Sequence, residues 1–462
     1  MIKLADKTVL VLGLGETGLS LVRWLSAQGV CVRVADTREY PPFLDVVREQ
    51  FPQTEIHCGA YRDEVLDGVD LMVISPGVPV SDPFVMLAKA RAIPVMGDIE
   101  LFSQSLPQEN RPKVIAITGS NGKTTVTSMV GEMCRAAGLD VAVAGNISPA
   151  VLDVLLQRNG QQPDVWVLEL SSFQLETMMT LNADAATVLN ISEDHLDRYA
   201  SINEYVTAKS RIFQGSGVQI LNRDDRYSAG MGLAGRMQAT FGLNVPLAPN
   251  DWGIAHTADG IWLMQGEQRV MNAKELQVIG RHNVSNALAA AVLCHAIGLP
   301  LNPQLRALRD FKGLPHRVQQ VAEIKGVIYY DDSKGTNVGA TVAALQGLGR
   351  PAVLIAGGDG KGQDFLPLRR VVSQCARAVV LIGRDANKIS ASLQNCGVPI
   401  LLATDMADAV RQSAEQAKPG DAVLLSPACA SFDMFRNYKH RAEVFVAAVQ
   451  ARQKEVVCAP QA

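Results

Sequence analysis

The sequence predicts an α/β protein assembled from three nucleotide-fold units, on three observations. A β-like run at 113–117 feeds the glycine turn Gly119-Ser120-Asn121-Gly122 and then Lys123-Thr124-Thr125, with a helix-like run at 126–137 behind it. A second unit of the same layout opens the chain, with Gly13, Gly15 and Gly18 between a β run at 8–12 and a helix-like stretch at 19–28. After Leu314-Pro315, short apolar β runs alternate with helix-like segments, the pattern of a parallel sheet. At 462 residues the chain is too long for one hydrophobic core, and two to four domains are expected. The breaks fall so as to give 1–97, 98–313 and 314–462.

In the first unit a second β run at 31–35 ends at Asp36. G-x-G-x-x-G between strand and helix, with an acidic residue beyond, matches the dinucleotide fingerprint. Alone it suggests NAD, although the same geometry holds any diphosphate. A further β run at 71–75 ends in Ser75-Pro76-Gly77-Val78-Pro79, a rigid turn at the strand end where ligands of open α/β sheets sit. The polar stretch 103–112 carries two prolines and reads as a linker or exposed loop.

The second unit is a phosphate cradle. Its glycines let backbone N–H groups close on phosphate oxygens, and the helix start adds positive partial charge. Lys123 supplies a mobile cation and a threonine hydroxyl suits Mg²⁺, so ATP is the expected ligand. The general loop wants a glycine five residues before the Gly-Lys pair, where this chain has Ile117, so the loop is a shortened one. A glycine turn needs no ligand in itself; Gly-Lys-Thr-Thr after an apolar strand argues for one. The β run at 165–170 carries Glu169 at its end, placed to bind Mg²⁺ directly or through water. The run at 186–191 leads into Glu193-Asp194-His195-Leu196-Asp197-Arg198-Tyr199, where His195 is a candidate metal ligand or phosphate contact set against the commoner surface histidine. Residues 214–275, rich in Gly, Asn and Asp, carry short strand candidates such as 260–264 and read as peripheral. Asn283 and Asn286, three apart, share a helical face and serve either as N-caps or as nucleotide contacts. The apolar stretch 287–301 behind them is shorter than a membrane span and reads as a buried helix.

In the third unit the strand candidates are 327–330, 352–356, 378–382, 400–402 and 422–425, with a helix at 406–416. Three strand ends carry polar loops: Asp331 to Asn337, Gly357 to Lys361 and Ser426 to Asp433. Any one is an ordinary surface loop; three on one sheet edge read as a site. Composition narrows the function classes. With 43 Lys and Arg against 46 Asp and Glu the net charge is −3, which does not suit a nucleic-acid binder. The eight cysteines are scattered without a C-x-x-C pair, and the first residues run straight into a strand, so a cytoplasmic protein without a membrane span is expected.

The motifs TGSNGKT at 118–124, SSFQLE at 171–176, EDHLDRY at 193–199, DDSKGTN at 331–337 and SPACASFD at 426–433 resemble those of the Mur ligases of peptidoglycan synthesis. Within that family they look most like the branch that adds D-glutamate, and the resemblance spans essentially the whole chain. It implies a Rossmann-like N-terminal domain, a central P-loop-containing mononucleotide-binding ATPase domain and a Rossmann-like C-terminal domain. It also revises the NAD reading: the first unit would hold the UDP of UDP-N-acetylmuramoyl-L-alanine through Gly15, Glu16, Thr17, Asp36, Thr37, Arg38 and Ser75, with Asn146 and Ser171 beside it. ATP would lie on Gly119 to Thr125, contacted by Asn283, Arg317 and Asp332. The resemblance implies two Mg²⁺ ions near Thr124, Thr125, Glu169 and His195, with Lys209 carbamylated by CO₂ as a further metal-binding anion. D-glutamate would be held by Thr336, Lys361, Ser431, Phe432 and Tyr438, the last standing where the family commonly has Phe. The implied reaction phosphorylates the alanine carboxylate, and the D-glutamate amine then attacks the acyl phosphate. Lys123, His195 and Lys209 would be the catalytic residues, and a monomer is expected. A folylpolyglutamate-type ligase shares the ATP loop and glutamyl chemistry but lacks a separate fingerprint like 13–18. A nicotinamide oxidoreductase explains that fingerprint but not 117–125. A nucleotide-switch protein explains the ATP loop but not the further strand-end sites.

Overall fold

The computed structural model describes residues 4–194 and 198–458, and it builds them around three sheets. The first is wholly parallel in the order β3-β2-β1-β4-β5, from Thr8–Leu12, Cys31–Asp36, Glu55–Cys58, Leu71–Ile74 and Val95–Met96 taken as β1 to β5. Neighbouring β1 and β4 send their chains to opposite sides, so a crevice opens beyond their carboxyl ends. The helix Glu16–Ala27 begins two residues inside the fingerprint, and Gly18 lets it start against the strand turn. A Cβ at Gly18 would collide with the Gly13 carbonyl.

The second sheet has nine strands. In chain order they are β6 Lys113–Thr118, β7 Val141–Gly145, β8 Val165–Glu169, β9 Ala185–Val188, β10 Val218–Asn222, β11 Gln238–Phe241, β12 Trp252–Thr257, β13 Gly260–Gln265 and β14 Gln268–Asn272. They lie in the order β14-β13-β12-β11-β10-β9-β6-β8-β7, parallel except for the antiparallel hairpins β12–β13 and β13–β14. Residues 214–275 therefore extend the main sheet, against the expectation that they are peripheral. Phe241 and Trp252 are buried in the same core as the cradle helix. Gly-rich turns joining short strands hid this, because each strand alone is too short for its alternation to stand out.

The cradle helix runs Lys123–Ala136, starting three residues before its apolar periodicity does. Its Val126, Met129, Val130 and Met133 pack with Leu288, Val292 and Leu305 in one cluster. The apolar stretch near 290 forms the helix Arg281–Ala296, and a separate helix, Leu301–Asp310, follows. Neither asparagine caps the first of these: Gly280 stands at its N-cap, and Asn283 instead donates to the Ile279 carbonyl. The third sheet, order β15-β16-β20-β17-β18-β19, comprises β15 Gln319–Ile324, β16 Val327–Asp331, β17 Ala352–Gly357, β18 Ala376–Ile382, β19 Ile400–Leu402 and β20 Ala422–Leu425. Only β15 is antiparallel. The three expected polar loops follow β16, β17 and β20, which lie side by side.

The linker reading of 103–112 holds only from 106 on, since 103–105 complete the helix Asp98–Ser105. That helix ties the first unit to the second. Buried Glu100 accepts from the Met179 and Thr180 amides at 2.6 and 2.9 Å, and Phe102 meets Trp166 edge-on with centroids 4.9 Å apart. One hydrophobic cluster runs without a break from Val9 and Val34 through Phe102 to Trp166 and Phe213. The third sheet has its own two clusters, one on each face.

Candidate active site

Two cavities meet at the centre of the molecule. The smaller, about 510 Å³, opens at the β1/β4 switch point. It is lined by Gly15, Glu16, Thr17, Asp36, Thr37, Arg38, Ser75 and Asn146, whereas Ser171 of the expected set lines the other cavity. The acidic residue has a different task from the ribose contact of a dinucleotide fold. Asp36 accepts from the Leu14 amide at 2.7 Å and is gripped by the Arg38 guanidinium at 2.8 and 2.6 Å. Burial pushes its carboxyl up, but these bonds outweigh it and hold the pKa below the usual value. Its oxygens are committed to the glycine loop and to Arg38, whose half-exposed side chain faces the cavity. Tyr61 and Gln174 line the same space; no sequence pattern singled out the first, and the second stood within a motif as an unassigned letter.

The larger cavity, about 1300 Å³, lies between the second and third sheets. Glu16, Asn146, Ile147 and Ser148 border both cavities, so the two adjoin there. The cradle supplies Ser120 to Thr125 to its wall; Gly119 lies behind them. Gly122 has φ +82°, and a Cβ there would press on Asn286, so glycine is required on both counts. Lys123 Nζ donates to the Gly119 and Ser120 carbonyls at 2.8 and 3.1 Å, folded back over its own loop. Burial lowers its pKa, with Glu169 and Asp194 opposing.

Glu169 ends β8 and is buried. Its Oε1 accepts from Asn146 Nδ2 at 2.9 Å, while Oε2 is enclosed and has no protein partner. An orphaned carboxylate oxygen beside the cradle fits a divalent cation. Among the described residues no three His, Cys, Asp or Glu side chains gather into a cage. A carboxylate beside a phosphate cradle is a setting Mg²⁺ takes, with waters and substrate phosphates at its other positions.

The helix Ile202–Ser210, capped by the Ser201 side chain on the Glu204 amide, sets Tyr205 and Lys209 one turn apart on one face. Lys209 Nζ lies 4.6 Å over the Tyr205 ring and donates to Thr118 Oγ1 and the Gly119 carbonyl at 3.2 and 3.0 Å. It is 1% exposed, and burial, reinforced by nearby Lys123, drives its pKa well below the ordinary lysine value. His195 falls outside the described residues.

The third sheet faces the cradle directly. Arg317 Nη2 donates to Thr124 Oγ1 at 2.6 Å, and Asn337 Nδ2 to Asn121 Oδ1 at 3.0 Å and Asp194 Oδ2 at 3.3 Å. Asp332 is buried and accepts from Ser426 Oγ at 2.7 Å; burial raises its pKa to about 7, against the pull of Ser426 and Arg317. Asn283, Thr336, Lys361 and Tyr438 line the cavity, as does Ser171. Ser431 and Phe432 do not: Ser431 is buried at the start of a turn, accepting from the Phe435 amide, and Phe432 is 72% exposed. Lys334, unassigned from sequence, lies 4.0 Å over the Tyr438 ring, and burial lowers its pKa to about 8. A strand-end loop announces a site but not which of its side chains turns inward.

Family models match in three consecutive blocks: a Mur ligase MurD-like N-terminal domain over 7–97, a Mur ligase middle domain over 117–294 and a Mur ligase glutamate ligase domain over 316–429. The chain belongs to the Mur ligase family. Among Mur ligases it is 57% identical over 456 residues to the UDP-N-acetylmuramoylalanine--D-glutamate ligase of Nitrosospira multiformis, covering 97% of this chain and 96% of the relative. It is 56% identical over 459 residues to the protein of the same name in Methylobacillus flagellatus, covering 99% and 100%. The solved UDP-N-acetylmuramate-alanine ligase of Thermotoga maritima superposes with a TM-score of 0.60 at 20% identity, over 96% of this chain and 99% of that one. That likeness speaks for the Mur ligase fold alone.

Proposed function

We propose that this Mur ligase joins D-glutamate to UDP-N-acetylmuramoyl-L-alanine at the expense of ATP, releasing ADP and phosphate, in the cytoplasm. One observation carries the reading: the fingerprint cavity and the cradle cavity adjoin at Glu16, Asn146, Ile147 and Ser148. A nucleotide held by its diphosphate at Gly15 can thus extend its sugar and alanine past Asn146 towards Lys123. Full-length identity to relatives that carry this name supports the substrate choice over a folate.

The alanine carboxylate attacks the γ-phosphate of ATP, and ADP leaves. Both reactants are anionic, so their approach needs positive charge. Lys123 swings from its own loop carbonyls onto the outer phosphates, and Arg317 is released from Thr124 to meet them. Mg²⁺, held at Glu169 and a cradle threonine hydroxyl, supplies further charge neutralisation when bound. The acyl phosphate formed is an activated carbonyl. The D-glutamate amine adds to it, a tetrahedral centre forms, and phosphate departs to leave the amide. Thr336, Lys361, Tyr438 and Lys334 present hydroxyl and ammonium groups where D-glutamate's carboxylates would lie, and Ser431 and Phe432 belong to the turn behind. Burial disfavours the ammonium form of Lys209 and so favours the amine that adds to CO₂; as a carbamate it would bring an anion to the cradle.

The test is phosphate release from ATP. Turnover is expected only when UDP-N-acetylmuramoyl-L-alanine and D-glutamate are both present. Release with a folate and L-glutamate, and none with the UDP-sugar, would overturn the reading.

A further inference from the structure

Arg198 follows the cradle-facing loop at 190–194, yet its side chain leaves the cradle and reaches the first unit. Its Nη2 donates to the Val78 carbonyl at 3.0 Å, and its Nη1 lies 3.3 and 3.5 Å from the carbonyls of Gly77 and Pro76. Glu176 Oε2 accepts from Nη2 at 3.2 Å, and the guanidinium stacks 4.5 Å over the Phe173 ring. The side chain is 13% exposed and Glu176 is 12% exposed, so this is an enclosed ion pair with a planar group held on several sides. The turn it grips is a wall of the smaller cavity, through Ser75, Pro76, Gly77 and Val78. The turn's other face is packed on the fingerprint. Ser75 Oγ donates to the Gly13 carbonyl at 2.8 Å, and a Cβ at Gly13 would lie 3.2 Å from both Ser75 and Val78.

We propose that Arg198 is a positioning residue for the nucleotide sugar: it fixes the Ser75-to-Val78 turn from behind, so that the diphosphate cavity keeps its width. Glu176 and Phe173 set its plane. Three carbonyls spread along a turn match a guanidinium fork; an ammonium can satisfy only part of them. Arg198 touches no reacting atom on this account. Its loss loosens binding of the UDP-sugar and leaves ATP handling and the chemical step alone. The inference rests on the proposed substrate.

The experiment compares wild type, Arg198→Ala, Arg198→Lys and Glu176→Gln in steady-state phosphate release, with calorimetric titration of UDP-N-acetylmuramoyl-L-alanine into each protein. Arg198→Ala is expected to raise the KM and Kd for the UDP-sugar about tenfold or more, with kcat and the KM for ATP within about twofold. Arg198→Lys should recover part of the loss, and Glu176→Gln should show a smaller shift of the same kind. An unchanged UDP-sugar KM, or equal losses in kcat and in both KM values, would overturn the proposal. Should Arg198→Ala fail to fold, unchanged UDP-sugar affinity in both other variants overturns it. A wild-type enzyme that ignores the UDP-sugar refutes the functional reading instead, so the two failures are told apart.

Discussion

Gly145→Ala tests whether the junction of the two cavities is as tightly built as the geometry requires. Gly145 ends β7 opposite Glu169, with φ +114°, a region that alanine rarely enters. A Cβ there would sit on the Glu169 carbonyl oxygen, 3.2 Å from its carbon and 3.3 Å from its nitrogen. Relief demands that the strands part by about 1 Å, given carbon contacts near ~3.5 Å. The Asn146 amide now donates to that same carbonyl at 2.7 Å, and parting the strands breaks this bond. Backbone strain of roughly 1–3 kcal/mol and the loss of one hydrogen bond at roughly 0.5–1.5 kcal/mol give a loss of about 1.5–4.5 kcal/mol. The Asn146–Glu169 side-chain bond shifts with them, so both the sugar-nucleotide wall and the carboxylate at the cradle move. Misplacement of about 1 Å costs on the order of 10²-fold in rate. Phosphate-release kinetics should show kcat/KM down by about that factor, alongside a lower melting temperature. A Gly145→Ala enzyme with wild-type kinetics and melting would refute the reasoning.

Three further outcomes are expected. Lys123→Ala should lower kcat by at least about 10²-fold while the protein still melts cooperatively, because a charge-assisted contact of roughly 1.5–3 kcal/mol is lost in a closed site where it weighs more. Lys209→Ala should lose about 10–100-fold in activity, the range for groups that support a metal site, and short carboxylic acids should restore part of it; no rescue would remove the carbamate from the reading. Burial raises the pKa of Asp98 to about 6, even though Gln174 donates to it at 2.9 Å. The folded state therefore keeps a proton that the unfolded chain releases near pH ~4, so this group's contribution to stability falls as pH rises from about 4 to about 6. Asp98→Asn should flatten that slope by up to about 3 kcal/mol, read from denaturant melts at about pH 4 and about pH 7.

The glycine-rich strand ends were the legible part of this chain. Gly13, Gly18, Gly119 and Gly122 sit where a close approach or positive φ excludes other residues, so their spacing carries geometry into the sequence. Glu169 was legible because a carboxylate closing an apolar strand is unusual. Tyr61 and Lys334 were not. Each becomes a wall residue only through partners far along the chain, as Lys334 does against Tyr438. Ser431 and Phe432 show the converse: their motif is distinctive, yet the turn that it forms directs neither side chain to the cavity wall. Within 252–272 the strand candidate at 260–264 was legible, but its place in the main sheet was not, because the burial there comes from the cradle-helix core.

The unbroken cluster from Val9 to Phe213 has a consequence for modularity. Severing the chain near residue 97 would strip apolar surface from both pieces, leaving each with half a core. The third sheet owns both of its clusters, and polar bonds such as Arg317 to Thr124 and Asn337 to Asn121 hold it to the cradle. Such bonds exchange readily with water and phosphate, whereas a shared apolar core does not. The first two sheets thus share a core that the third does not join. A cut meant to dissect the enzyme belongs near 314 and nowhere earlier.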